Sequence, residues 1–475
     1  MSLLCCRRFP WLQDFSSQKA IISLDKYKLL NRTIIPLLDQ WKDRPDRKPL
    51  ILRGARQVGK TTAVELFSSE FENYIYLNLE LGHDREIFEG NLSVHDVFQA
   101  MQVIKNVEVR TGNTLIFIDE IQNSPKAVAL LRYFYEEMKE LHLIGAGSLL
   151  EIMLDEAKIS FPVGRVEYLY LYPISFSEYL EAKGEKQLLG VYHEVPYKKF
   201  AHSKFLSLFH EYTMIGGMPE IVQKYSGGAE ISSLNRTYES LLISYLNDAE
   251  KYAKSQSARQ VLRHSIEAVP YEAGNRIKFQ GFGRSNYPSR EVGEALRLIE
   301  RAMLIYLVYP STSTKIPIRT DLRKSPKLQF IDTGLLNYFA GLQPEYFRYE
   351  DLHGFYQGLI AEHIVRQEMT AVNMFSNQKM PFWVREKKQS NAEVDMLVQY
   401  QNYVIPVEVK SGKAGTLKSL HQFMDRADHA YAVRFYAGEL NVTDAVTTGG
   451  KSYKLMNLPY FLAGKLFDYL DMMIS

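Results

Sequence analysis

Gly54-Ala55-Arg56-Gln57-Val58-Gly59-Lys60-Thr61 satisfies the spacing G-x-x-x-x-G-K-[ST] at every fixed position. The apolar run Leu50-Ile51-Leu52 leads into it as a strand, and Thr62-Ala63-Val64-Glu65-Leu66-Phe67 leads out as a helix. Strand, loop, helix is the order a polyphosphate site needs. Glycines let the backbone amides turn inward around the anion. The helix that follows presents its positive end to the same charge. Gly54 to Thr61, with Thr62 behind them, form the expected ATP cradle. Lys60 is expected to reach the β- and γ-phosphates, and Thr61 to ligate Mg²⁺.

A second stretch completes the site. Leu115-Ile116-Phe117-Ile118 suits a strand buried on both faces of a parallel sheet. Asp119 and Glu120 then fall at its carboxyl end, where open α/β sheets place their ligands. Asp119 is expected to hold Mg²⁺, directly or through water, and Glu120 to polarise the attacking water. Tyr74–Leu79 and His142–Ser148 read as further strands, the latter after a helix near Lys126–Glu140, in the βα alternation of a parallel sheet. Ser148 either senses the γ-phosphate or caps a helix before Leu149. Gly164-Arg165 precedes the apolar run Tyr168–Leu171. Arg165 either stabilises phosphate charge or is a surface arginine.

The rest of the composition bounds the answer. At 475 residues the chain suggests about two to four domains. A hydrophobic content of 46% and a charged content of 24% fit a globular protein. The formal charge of +2 excludes a global polycation, so any basic surface is local. Cys5 and Cys6 are the only cysteines, adjacent and without metal-ligand spacing, which fits a reducing compartment. Met1–Pro10 holds no signal-peptide core, and no apolar run reaches the ~18 residues of a membrane span. The expected location is cytoplasmic, with no membrane partner.

Together, Gly54–Thr61, Ile116–Gln122, Gly145–Ser148, Gly164-Arg165 and Tyr172-Pro173-Ile174-Ser175-Phe176-Ser177-Glu178-Tyr179 resemble the AAA-type ATPases widespread in bacteria and archaea. In that group a C-terminal domain of unknown function follows the ATPase. The resemblance implies that Tyr172–Tyr179 links out of the ATPase core. It also implies a functional Arg165, acting in its own subunit or in a neighbour's; the latter requires a homo-oligomer.

Ser175 to Tyr252 reads as helical, broken by the stiff turn Gly216-Gly217-Met218-Pro219, which is similar to a turn of the same family and is expected to be structural. Residues 251–327 carry 15 Lys or Arg against 6 Asp or Glu. Within them a helix near Ser289–Ala302 and a strand at Leu304–Val308 have the pattern of a winged helix, and the resemblance implies such a module. This region is either a DNA contact or a solvated basic face.

Past Phe330-Ile331-Asp332-Thr333-Gly334 the pattern changes. A helix near Gly358–Val365 carries Glu362. Strands are expected at Pro381–Arg385, Ala392–Val398 and Tyr403–Ser411. Glu408 and Lys410 are two apart, so they share a strand face, and a turn at Gln401-Asn402 brings that face beside Asp395. One acid followed by Glu-x-Lys suits a restriction-endonuclease-like site, with Asp395, Glu408 and the outer Glu362 as Mg²⁺ ligands and Lys410 stabilising charge. The family's nuclease-like C-terminal fold is similar. From the residues alone a charged edge strand is the better explanation of Glu408 and Lys410, and it is the resemblance that favours the nuclease-like site. Trp383 is read as core, and so are His421, Tyr460, Phe461, Phe467 and Tyr469.

The resulting expectation is an α/β chain with four parts. These are an N-terminal helical segment (1–45), an AAA-type P-loop ATPase core (46–180), a helical and winged-helix region (181–330) and a restriction-endonuclease-like α/β domain (331–475). The expected function is Mg²⁺-dependent ATP hydrolysis coupled to the C-terminal domain, with DNA as a candidate target. The alternative is a nucleotide-dependent switch or docking protein with a catalytically silent C-terminal domain.

Overall fold

Alternation of buried side chains along three strands sets the amino-terminal architecture. In β1 (Leu50–Arg53), β3 (Thr114–Asp119) and β4 (His142–Gly147) every residue is buried. Leu50, Leu52, Leu115, Phe117, Ile144 and Ala146 pack on one side. Ile51, Ile116, Ile118 and Leu143 pack on the other. With β2 (Asn73–Asn78) and β5 (Glu167–Tyr170) they form a five-stranded parallel sheet of order β2-β3-β4-β1-β5. Helices α1 (Ile35–Asp43) and α2 (Lys60–Ser68) cover the first face. Helices α3 (Gly82–Glu89), α4 (Val94–Lys105) and α5 (Pro125–Glu137) cover the second. The helix starts are written locally: Ser93 and Asp96 form a capping box on α4, and Ser124 caps α5 ahead of Pro125.

These coordinates come from a computed structural model that describes residues 30–90, 92–108, 112–148, 164–251, 253, 255–343, 359–387, 390–410 and 417–474. Residues 1–29 of the expected N-terminal helical segment, with Cys5 and Cys6, lie outside the described residues. So do Leu149, Tyr252, Gly358 and Ser411.

The link Tyr172–Tyr179 leads into α6 (Phe176–Ala182), opened by a Ser175–Glu178 capping box. Helices α7 (Lys186–His193), α8 (His202–Ile215), α9 (Pro219–Ser226) and α10 (Asn235–Glu250) follow. The turn at Gly216-Gly217 joins three parts of the molecule. A Cβ on Gly217 would sit 2.3 Å from the Ile174 carbonyl oxygen, and one on Gly216 would sit 2.2 Å from Asp332 Oδ1. The Gly217 amide donates to Asp332 Oδ2 at 2.6 Å. No larger residue fits that approach.

Next come α11 (Gln256–Glu272), α12 (Ser289–Arg301) and a two-stranded antiparallel pair, β6 (Ile305–Val308) with β8 (Lys327–Phe330). Between them the short β7 (Pro310–Ser311) pairs with β9 (Phe382–Lys387) of the carboxyl-terminal region. The middle and final regions therefore share a sheet, β10-β9-β7, and one continuous core.

After α13 (Thr333–Phe339) and α14 (Leu359–Ala371), the chain builds β9, β10 (Ser390–Val394), β11 (Met396–Tyr400), β12 (Tyr403–Val409), α15 (Lys418–Met424), β13 (Tyr431–Tyr436), β14 (Asn441–Val446), β15 (Ser452–Pro459) and α16 (Leu466–Ile474). A mixed sheet has the order β11-β12-β13-β15-β14. Two expectations need correction. The strand expected at Ala392–Val398 is broken at Asp395, where the chain bends out of one sheet into the other. Phe467, expected in the core, is 47% exposed, because α16 buries only its Leu466, Tyr469 and Leu470 stripe. Among the described residues no helix is long and apolar enough to cross a membrane.

Candidate functional site

The phosphate loop sits at the carboxyl end of β1, and its shape depends on its glycines. Gly59 has φ +92° and Gln57 φ +63°. A Cβ on Gly54 would lie 2.3 Å from the Leu171 carbonyl oxygen, so only glycine lets the chain leaving β5 pass this close. Lys60 opens α2, buried, with Nζ donating to the carbonyl oxygens of Gly54 at 3.0 Å and Ala55 at 2.9 Å. Burial lowers its ammonium pKa, while Glu120 and Asp119 pull the other way. The cation is thus held by neutral carbonyls with no carboxylate in contact.

Asp119 ends β3, two strands from β1, and Thr61 Oγ1 donates to its Oδ2 at 2.7 Å. Burial pushes the Asp119 carboxyl up, against the Thr61 hydrogen bond that lowers it. Hydroxyl and carboxylate side by side, next to a loop of backbone amides, suit a nucleotide-bound Mg²⁺. Glu120 is half-buried and left-handed, with φ +51°. A non-glycine residue held there beside the site is the kind of backbone constraint that fixes a reacting group. Gln122 Nε2 donates to Glu120 Oε2. Gln122 itself fits only because residue 147 is glycine: a Cβ there would sit 2.1 Å from Gln122 Oε1. Ser148 is buried at the carboxyl end of β4, between β3 and β1 and so at the loop's end of the sheet.

The remaining candidates go elsewhere. Arg56 forms an ion pair with Asp248 on α10, one guanidinium nitrogen donating to both carboxylate oxygens. Burial would lower its guanidinium, but Asp248 outweighs this and raises it. Tyr245, also on α10, donates to the Arg56 carbonyl at 3.3 Å. Arg165 lies just before β5, whose Glu167 is in register with Leu50 at the start of β1. It is therefore at the foot of the sheet, opposite the phosphate loop, and pairs with Glu136 at 2.8 Å. Gln57 and Thr62 are exposed, and Val58 is buried.

Three contributors escape the motif. Arg32, 6% exposed, donates to the Val58 carbonyl at 2.7 Å and the Tyr172 carbonyl at 2.7 Å, and pairs with Glu178 at 2.9 Å. It braces the loop from behind. Gln122 and Asp248 are the others. Only Gln122, two residues past Glu120, left a signal in the sequence.

The carboxyl-terminal acids also converge. Asp395 Oδ2 accepts from the Val409 amide at 2.8 Å, beside Glu408. Lys410 pairs with Glu408 Oε1. Glu362 on α14 pairs with Arg366 at 3.2 Å. The unexpected member is Lys327, which lies 2.9 Å from Glu362, 2.8 Å from Glu393 and 3.7 Å from Asp395. It belongs to the basic stretch 251–327, but it is buried and adds nothing to a basic surface. Arg263, Arg290 and Arg323 of the same stretch are paired with Glu250, Glu294 and Asp321. Among the described residues no three His, Cys, Asp or Glu side chains are placed to hold a metal ion. With Lys327 in position, Glu362, Asp395 and Glu408 do not fit one. Trp383 is buried against Phe423, as expected of a core residue.

A parallel sheet with this loop, and an acid pair two strands away, defines a P-loop nucleotide-binding domain. Residues 46–180 match the family model of an AAA domain (AAA_14), so the amino-terminal part of the chain is an AAA-type P-loop ATPase domain. Residues 206–346 and 357–459 match two domains of unknown function, DUF8612 and DUF4143. No curated protein matches the chain. Among solved structures, the Walker-type ATPase of Pyrococcus abyssi is 14% identical, with 66% of this chain and 96% of that chain covered and a TM-score of 0.42. A STAND ATPase with a tetratricopeptide sensor from Pyrococcus horikoshii is 12% identical, covering 74% and 50%, at a TM-score of 0.26. The ORC2 protein of Aeropyrum pernix in its ADP form is 14% identical, covering 59% and 88%, at 0.24. These overall superpositions add nothing to what the family model and the site geometry carry.

Proposed function

We propose that the chain is a Mg²⁺-dependent ATPase whose turnover moves the regions that follow its AAA domain. The observation that carries this reading is the 2.7 Å bond between Thr61 and Asp119, next to Lys60 and Glu120. The loop amides and Lys60 bind and orient the polyphosphate. Thr61 and Asp119 hold Mg²⁺, which supplies charge neutralisation when bound. Glu120, steadied by Gln122, orients the attacking water and takes its proton. Ser148, at the loop's end of the sheet, is assigned to reading the γ-phosphate. Arg165, at the far end of the sheet, is assigned to a neighbouring subunit's nucleotide and not to its own. Coupling runs through Arg56: the loop residue that flanks the phosphates is tied to α10 by Asp248 and Tyr245.

Steady-state ATPase rates of wild type and Lys60→Ala in Mg²⁺ test the reading. The variant is expected to lose hydrolysis, and a wild-type rate in the variant refutes the proposal. DNA is the candidate target of the 251–327 region, and stimulation of the ATPase rate by DNA is the expected sign. The carboxyl-terminal part is proposed to have a restriction-endonuclease-like fold, supported by the convergence of Glu362, Asp395, Glu408 and Lys410. A second reading is a switch with a silent C-terminal domain, favoured by Lys327 among those acids. Plasmid incubated with Mg²⁺ or Mn²⁺ and wild type, Lys327→Ala or Lys327→Ala/Asp395→Ala separates the two: identical profiles favour the switch.

A further inference from the structure

Lys327 is placed unlike the other described lysines of its stretch, buried among carboxylates. It opens β8, and the backbone around it is fixed within the middle region on both sides. β8 pairs with β6, the Ile277 amide donates to the Pro326 carbonyl at 2.9 Å, and the Gly274 amide donates to the Leu328 carbonyl at 2.7 Å. The side chain nevertheless crosses into the carboxyl-terminal region, 8% exposed, and ends among its acids. Nζ lies 2.9 and 3.0 Å from the two Glu362 oxygens, 2.8 Å from Glu393 Oε1 and 3.7 Å from Asp395 Oδ1.

Those lengths identify the occupant the cage is spaced for. Ammonium–carboxylate contacts run to about 2.7–2.9 Å. Mg²⁺ draws its oxygens to about 2.0–2.1 Å, and Ca²⁺ to about 2.3–2.6 Å. Glu362 and Glu393 stand at ammonium distance, with Asp395 farther out at 3.7 Å.

The charges point the same way. Glu362, Glu393, Asp395 and Glu408 are four carboxyl groups, and Arg366 and Lys410 answer two of them. Two further positive charges would balance the cluster, and Lys327 brings one. A second observation marks the deficit: Glu408 is 5% exposed, and its Oε2 is buried without a hydrogen-bond partner among the described residues. A divalent ion in place of the ammonium would supply both missing charges.

We propose that Lys327 is the resident cation of this acid cluster, and that it excludes a divalent ion for as long as the β6–β8 pair stays docked. Withdrawal of β8 would open a doubly charged cation site. The carboxyl-terminal site is thereby placed under the control of the middle region. This rests on the cage geometry alone and holds whether or not the domain cleaves nucleic acid.

Mn²⁺ binding to the nucleotide-free full chain, followed by electron paramagnetic resonance, tests it. Wild type and Asp395→Asn are expected to bind Mn²⁺ alike, with no site that depends on Asp395. Lys327→Ala is expected to gain one site at least tenfold tighter than any in wild type, and Lys327→Ala/Asp395→Asn to lose it. Mn²⁺ should also raise the unfolding temperature of Lys327→Ala and leave that of wild type unchanged. Lys327→Gln, which keeps most of the stem, serves if the alanine variant does not fold without metal. Asp395-dependent Mn²⁺ binding by wild type overturns the proposal. So does the absence of a new site in both Lys327 variants, or failure of both to fold even with Mn²⁺ present.

Discussion

Lys60 and Lys327 are both buried ammonium groups, 7% and 6% exposed, yet their surroundings differ in kind. Among the described residues Lys60 Nζ donates to two carbonyl oxygens of its own loop and pairs with no carboxylate, and burial leaves its pKa lowered. Burial would lower Lys327 as well, but Glu362, Asp395 and Glu393 outweigh it and raise the pKa. The first cation is short of negative charge and suits a site that must receive an anion. The second is surrounded by carboxylates and suits a lock. The same side chain at the same depth thus serves opposite ends, decided by whether its neighbours are dipoles or charges.

The largest effect that could break this contrast is at the first site. If Lys60 awaits a triphosphate, the water-directing acid beside it must be Glu120. Glu120→Gln is expected to lower ATP turnover about 10³-fold, the loss typical of one preorganised catalytic group, while nucleotide binding persists. Steady-state rates and a fluorescent-nucleotide titration separate the two quantities. Near-normal turnover would leave the Glu120–Gln122 pair without its proposed role.

At the second site the contrast is sharpened by two acids of one cage. For Glu362 burial alone would raise the pKa, but Lys327 and Arg366 bring it below the ordinary value. Asp395 is pushed well up by burial and by Glu408 and Glu362. Glu362 is therefore the stronger charge partner of the cations, and Asp395 the weaker. Glu362→Gln strands two buried cations and is expected to cost about 3–5 kcal/mol. Asp395→Asn alters an acid 3.7 Å from the ammonium, outside its close contacts, and is expected to cost no more than about 1–2 kcal/mol. Urea unfolding at pH 7 measures both. A larger loss for Asp395→Asn would reverse the assignment of charge within the cage.

The two sites also differ in how far the sequence discloses them. Gly54–Thr61 is contiguous, so strand, loop and helix follow from local rules, and the fully apolar Leu115–Ile118 announces a doubly covered strand. Asp119 against Thr61 follows from the sheet those strands make. Arg32, Asp248 and Lys327 follow from nothing local. The Arg56–Asp248 contact spans 192 residues and the Lys327–Glu362 contact 35, and no periodicity encodes either. Lys327 misleads outright: in a basic stretch it reads as surface charge. The Asp395 bend is hidden for another reason. Ala392-Glu393-Val394 and Met396-Leu397-Val398 each suit a strand, and only the presence of two separate sheets breaks the run between them.

Glu368 supplies the remaining case, a buried acid with no cation at hand, and the smallest effect. On α14 it accepts from the Phe176 amide at 3.0 and 3.1 Å and from the Tyr212 hydroxyl at 2.6 Å. Burial raises its pKa to about 7, against those hydrogen bonds. Between its ordinary value of 4.5 and about 7 the native state holds a proton that the unfolded chain has released. Its contribution to stability is therefore complete below pH 4.5 and is lost as pH rises through 7, by at most about 3 kcal/mol. His363, buried one turn earlier and lowered to about 4 by burial, has the opposite slope, losing stability as pH falls below 6.5. The two oppose each other in wild type, so the difference between wild type and Glu368→Gln is the quantity to measure. Unfolding free energies in urea, taken stepwise from pH 4.5 to 8, should move in the variant's favour up to about pH 7 and then level off. A difference that does not change with pH would mean that Glu368 is ionised throughout. Hydrogen bonds alone would then hold a buried carboxylate in this fold, without the cations that Glu362 has beside it.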